Sequence, residues 1–425
     1  MILAPAEAAR NIKNAAALNQ QEEFLVMAAK TKKICVPGFL ANGISVGIKP
    51  SNEKDLSLIF STTPAKVAAV FTKNSFKAAP LLINTERVKR GLAQAIITNS
   101  GCANAATGKD GYKDALSVSA ELSNQLKIKE EMILLSSTGV IGKRLPVKKI
   151  NSGIGKLVKD LNELGIEDAQ AAMMTTDKFP KIAIRKGIVG AKDITICGIA
   201  KGAGMIEPNM ATLLTYVMTD ALIDNKALNT VFHQAIDSTF NCISVDGCMS
   251  TNDMAIILAN GLAGNNPLER AQARLQRFRD MLCDVLQELC QAVVRDGEGA
   301  TKFITISIEG AKSRSDARRA AYAVANSNLV KTAFFGKDPN WGRIVAALGS
   351  AGIPLEKEKV TLSMGGILVF AQDGPTNFNA SKLKDIFQKD KIEVRISLGS
   401  GDKSYYVYTS DLSQEYVKIN AEYTT

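Results

Sequence analysis

A chain of 425 residues, 46% hydrophobic and 22% charged, has the material for a large buried core and more than one lobe. Its net charge of +10 is not gathered into a Lys/Arg block interleaved with aromatics. That argues against nucleic acid as a partner and leaves a solvated basic surface or attraction for small carboxylates. No apolar run reaches bilayer length, so no membrane partner is expected.

Residues 1–30 have helical spacing with one polar face. They lack a basic segment followed by an apolar one, and they carry Glu7, Glu22 and Glu23, so they read as an N-terminal extension and not as a leader. The stretches ISVGIK (44–49), LSLIFS (56–61), AKVAAVFT (65–72) and AQAIITNSG (93–101) read as strands. A helix follows over 111–128, then a strand over 132–142 that runs into a turn of small residues. Residues 150–161 and 168–177 read as helix or loop, and 181–205 as a hairpin of two strands. A strand over 213–223 precedes a helix over 226–239. Between Pro267 and Arg295, Leu275, Phe278, Leu282, Val285, Leu286, Leu289 and Val293 mark one buried helix face. A strand over 301–311, helix over 313–335, a loop and further helix, and a tail of strands complete the chain, with EYVKINAEYTT (415–425) as the last strand. Strands come in pairs separated by single helices, which favours a layered α/β or α+β fold over a doubly wound parallel sheet. A boundary falls near residue 310.

The seven cysteines are odd in number and include no C-x-x-C pair, which argues against a disulfide framework or a zinc site and fits a reducing compartment, the cytoplasm. The single histidine, His233, lies in a helical pattern, which argues against a Ser-His-Asp triad. A threonine can act as nucleophile without histidine if it carries its own free α-amine as base. In KGAGMIEPNMATLLTYVMTDA (201–221), a Gly-rich turn delivers Thr212 to the start of a strand behind the small residue Ala211. Attack of the Thr212 hydroxyl on the Ala211 carbonyl would cut the chain and create that amine; a plain β-branched strand residue is the alternative reading. In LLSSTGVIG (134–142), Thr138 and Gly139 end a strand, where a hydroxyl and a backbone N–H could form an oxyanion hole. Glu298 of DGEGATK (296–302) is either a solvated carboxylate or a ligand for an ammonium group. MTTD (174–177) is either a helix cap or a polar cluster.

The 201–221 stretch resembles the signature of the ornithine acetyltransferases of arginine biosynthesis, the self-processing glutamate N-acetyltransferases. TNSGCANAATG (98–108), SSTGVIG (136–142), MTTD, DGEGATK, GKDPNWGRI (336–344) and INAEYTT (419–425) resemble that family in the same order. The resemblance implies a layered αββα sandwich of the self-processing Thr-nucleophile type with a smaller C-terminal α/β domain. It implies self-cleavage between Ala211 and Thr212, giving an α chain 31–211 and a β chain 212–425 whose second domain spans 311–425. By the same resemblance Thr212 is the nucleophile, Thr138 and Gly139 form the oxyanion hole, and Thr175, Lys201, Thr212, Glu298, Asn420 and Thr425 bind substrate, with Thr176 adjacent to Thr175. The implied partners are acetylornithine and glutamate, with acetyl-CoA as an open second donor, in an assembly of two α and two β chains without cofactor or metal. The rival readings are an N-terminal-Thr amidohydrolase or aminopeptidase on a similar fold and, from the net charge, a non-catalytic basic binding protein.

Overall fold

The computed structural model describes residues 34–207 and 213–422. The expected N-terminal helix, Ala211, Thr212 and Thr425 lie outside the described residues. The compact body from Val36 onward is organised around two mixed sheets, each covered by helices, in a layered α+β arrangement.

Among the described residues, the first sheet has eight strands. Seven run in the order β4 (Ile133–Val140), β3 (Leu92–Cys102), β2 (Leu56–Phe71), β9 (Met254–Ala259), β7 (Leu214–Thr219), β6 (Lys192–Lys201) and β5 (Lys181–Val189). The eighth, β1 (Phe39–Ile44), pairs with β2. The two central strands, LTYVMT in β7 and MAIILA in β9, carry mostly apolar residues on both faces, and every residue in both is buried. Such continuous runs require cover on both faces. On one face, the core includes side chains of the helices Asn225–Asp237 and Gln272–Arg295; a second core cluster holds those of Gly108–Leu126 and Val147–Lys159. Along Gln272–Arg295, Phe278, Leu282, Val285, Leu286, Leu289 and Val293 are buried, as their spacing predicts. The helix starts at Gln272 and not at Pro267, because a short 3₁₀ turn over Leu268–Arg270 intervenes.

The second sheet has seven strands in the order β13 (Gly374–Pro375), β12 (Ile367–Ala371), β11 (Thr361–Met364), β14 (Lys391–Ser397), β10 (Phe303–Ala311), β15 (Lys403–Ser410) and β8 (Ile243–Ser244). Its core is closed by Arg314–Ala325, Asn328–Phe335, Trp341–Gly349 and Ala380–Gln388. The single helix expected over 313–335 is two helices. Ser327 breaks it, and its side chain caps the second by accepting from the N–H of Val330.

Four expected strands fold differently. ISVGIK leaves the sheet at Ile44, because the Asp55 carboxylate accepts from the N–H groups of Val46, Ile48 and Lys49 and curls the segment into a loop. LSLIFS and AKVAAVFT are one strand, β2, whose register with β3 shifts between Phe60 and Ala65 around Pro64. EYVKINAE is not a strand but the helix Gln414–Glu422, and Ser413 accepts from the N–H of Tyr416 at its start (3.3 Å). Its alternation of apolar and polar residues misleads, since no residue of this helix is buried.

Candidate active site

Strands β3 and β4 run parallel, with Ser100 level with Thr138 and Gly101 level with Gly139. At Gly139 the backbone has φ of +124°, and a Cβ there would lie 2.5 Å from the carbonyl carbon of Gly101. Only glycine meets both demands. Asn252 ties this strand end down, its Nδ2 donating to the carbonyls of Ala103 (2.6 Å) and Ser137 (2.8 Å). Thr138 is left half-buried at the sheet's rim.

Strand β6 ends in Lys201, and the Gly-Ala-Gly turn that follows is held at successive residues. The N–H of Gly202 donates to Asp177 Oδ1 (2.7 Å), and the carbonyl of Ala203 accepts from the N–H of Glu298 (2.9 Å). The N–H groups of Met205 and Ile206 donate to the Asp246 carboxylate at 2.6 and 2.8 Å. Gly204 serves a different need. A Cβ at that position would lie 2.5 Å from the Glu298 carboxyl, so the absent side chain makes the space that the carboxyl fills. The chain enters β7 at Leu214; the preceding carbonyl, of Leu213, accepts from the N–H of Met254 (3.0 Å).

A buried charge cluster underlies the turn. Lys181 Nζ pairs with Asp177 (2.7 Å) and Asp296 (2.5 Å), and all three side chains are fully buried. Lys201 Nζ lies 3.8 Å from Asp177. Burial pushes the Asp177 carboxyl up, but Lys201, Lys181 and the N–H of Thr175 outweigh it and hold the group well below the usual carboxylate range. Asp296 goes the other way: its burial outweighs the pull of Lys181. The MTTD motif is therefore not a helix cap. Its carboxylate anchors Lys201 and the Gly-rich turn.

Thr138, Gly139, Thr175, Thr176, Lys201 and Glu298 converge on one cleft, together with Leu213 and Leu214. Its cavity of about 80 Å³ holds several waters or a small polar molecule, since one water needs roughly 10–15 Å³ on the same measure. Glu298 is not a solvated carboxylate. It is 8% exposed, and its Oε2 accepts from Asn420 Nδ2 (2.8 Å), which brings the C-terminal helix to the cleft. His233 sits half-buried on the helix Asn225–Asp237 and does not line the cleft. Both Thr175 and Thr176 line it. Sequence reasoning missed Lys181 and Asp296, partners 115 positions apart, and the run Ser250–Asp253, which also lines the cleft. The polar string STND immediately before an apolar strand was the available signal for that run.

Comparison with known proteins gives one answer. Residues 40–425 match the ArgJ family. The arginine biosynthesis bifunctional protein ArgJ of Geobacter sulfurreducens is 47% identical over 392 residues, covering 92% of this chain and 100% of that protein. A crystal structure of ArgJ from Bacillus halodurans is 36% identical, covers 49% of this chain and 98% of its own, and superposes with a TM-score of 0.47. The ornithine acetyltransferase of Mycobacterium tuberculosis, solved with ornithine, is 36% identical, covers 41% of this chain and 94% of its own, and has a TM-score of 0.38. Across its two sheets and its cleft, this chain belongs to the ArgJ family.

Proposed function

We propose that the chain moves the acetyl group of N2-acetylornithine to glutamate in two half-reactions, through an acetyl ester on Thr212. The chain is an acyltransferase of arginine biosynthesis, as its family is. The observation that supports this route is the convergence, at the mouth of the strand that follows Thr212, of cleft residues from four distant segments. In this reading the Thr212 hydroxyl first attacks the Ala211 carbonyl, and water releases the ester, leaving Thr212 with a free amine. The amine then takes the hydroxyl proton as the oxygen attacks the acetyl carbonyl. The Thr138 hydroxyl and the Gly139 N–H donate to the oxyanion. The ornithine amine leaves with the proton, and glutamate reverses the sequence. Lys201 receives a substrate carboxylate; Glu298 and Asn420 receive the amine; Thr175 and Thr425 complete the polar wall.

Acetyl-CoA is a second candidate donor for the first half-reaction. The assembly holds two copies of each piece and works in the cytoplasm, in keeping with seven cysteines that form no disulfide among the described residues. Among the described residues no helix is long and apolar enough to cross a membrane.

The intact mass of the denatured protein tests the cut. Pieces of residues 1–211 and 212–425 are expected, and an uncut chain overturns the route. Acetyl transfer that depends on added glutamate separates transferase from hydrolase, because a hydrolase releases acetate without it.

Gly204→Ala probes the amine site. The added methyl meets the far end of a flexible side chain, so it should displace the Glu298 carboxyl without unfolding the turn. The KM for acetylornithine should rise roughly tenfold, as expected for a lost charged hydrogen bond, with the melting temperature nearly unchanged. Steady-state kinetics and a thermal melt check both parts.

A further inference from the structure

The run Ser250–Asp253 lines the cleft, and its last residue is unusual. Asp253 is 3% exposed. Ser250 hydrogen-bonds its carboxyl, yet among the described residues its Oδ2 has no partner at all. A buried carboxylate oxygen without a donor costs free energy, so the site is built for a donor that comes from elsewhere. Burial also pushes this carboxyl well above its ordinary range, against the smaller opposing pulls of Ser250 and Lys201. Of the charged groups around the cleft, namely Lys201 at the end of β6, Glu298 after the long helix and Asp177 beneath the turn, Lys201 alone bears on Asp253.

The strand register says where that donor comes from. β7 and β9 are parallel, Leu214 is level with Met254, and the N–H of Met254 donates to the carbonyl of Leu213. Asp253 therefore stands level with Leu213, on the neighbouring strand, about 5 Å away across the sheet. The residue covalently attached to Leu213 is Thr212.

We propose that Asp253 is a positioning residue of the acetyl transfer, its free Oδ2 accepting a hydrogen bond from the α-amine that Thr212 carries once the chain is cut. This rests on the route given above. The hydrogen bond turns the amine lone pair toward the Thr212 hydroxyl. When the hydroxyl proton passes to the amine, the resulting ammonium donates to Oδ2, and the proton later goes to the departing ornithine amine. A carboxylate so placed raises the basicity of the amine.

The test compares wild type with Asp253→Asn by denatured intact mass and by the pH profile of kcat/KM for transfer from acetylornithine to glutamate. Both proteins should be cut before Thr212. The acidic limb, which reports loss of the amine proton, should move down by about one pH unit in D253N. The kcat should fall about 10- to 100-fold from misorientation, with KM little changed. Superimposable profiles overturn the proposal. An uncut D253N also overturns it, because no amine exists before the cut and the carboxyl would then act earlier. If D253N does not fold, Asp253→Glu is measured instead; a displaced limb supports the proposal and a wild-type profile sinks it. An uncut wild type refutes the route itself, and is read from the mass alone, independently of Asp253.

Discussion

A Thr212→Ala protein should remain a single chain of 425 residues and transfer acetyl groups roughly 10⁴-fold more slowly or worse. Both losses follow from one missing atom. Without the hydroxyl, nothing attacks the Ala211 carbonyl, so the α-amine never forms; nor is there an oxygen to carry the acetyl group. His233 cannot substitute, since it lies on a helix away from the cleft. Thr212→Ser is the control. It keeps a hydroxyl and should be cut and acetylated, more slowly than wild type. Mass spectrometry reads the cut and the acetyl adduct in the same spectrum. A T212A protein that is cut, or that transfers at near-wild-type rates, rules out Thr212 as nucleophile.

Lys181→Met should be the most damaging substitution for stability among the residues that never touch the cleft. Lys181 is the shared cation of two fully buried carboxylates. Removing one member of such a cluster costs about 3–5 kcal/mol, because the charges left behind are neither solvated nor paired. Asp177 keeps the N–H groups of Thr175 and Gly202 and the more distant Lys201, so it stays ionised. Asp296 loses its nearest cation and, among the described residues, keeps only the N–H of Lys178 as a donor. Its carboxyl, already pushed up by burial, rises further. The folded variant then binds a proton that the unfolded chain releases, so stability falls as pH rises through that raised range. The deficit of K181M against wild type should be larger at pH 8 than at pH 5, measured by denaturant melts at both. The double variant Lys181→Met with Asp296→Asn should recover part of the loss. An equal deficit at both pH values would show that packing, not charge, is what Lys181 supplies.

Local pattern made much of this fold legible. The long helix could be read from one apolar stripe, and the hairpin β5–β6 from two runs about a short turn, because those signals are local and periodic. The misreadings have equally local causes. Asp55 recruits three backbone N–H groups and ends β1 early, and nothing in ISVGIK itself announces a carboxylate six to nine residues on. The C-terminal EYVKINAE alternates like a strand but has no core to face. The cleft is legible in part because Thr138, Gly139, Lys201 and Glu298 sit at strand ends or in turns rich in glycine or small residues, where function tends to accumulate. Lys181, Asp296 and Asp253 were not legible. Their meaning lies in pairings or vacancies that appear only once distant strands and helix ends are brought together.

The order of strands in the first sheet bears on what a cut before Thr212 can do. The sheet runs β2, β9, β7, β6, so the two strands that follow Thr212 are flanked on both sides by strands that precede it. A severed chain would stay clasped, since parting the pieces means tearing two antiparallel ladders, β2 from β9 and β6 from β7, out of the buried middle of the sheet. Scission here would thus be a change of chemistry without a change of architecture. It would expose a new chain end while the topology, completed beforehand on an unbroken backbone, served as the lock. Fragments made apart would have to thread into an interior that one chain builds in a single act, and reassembly from separate halves should be far poorer than refolding of the whole.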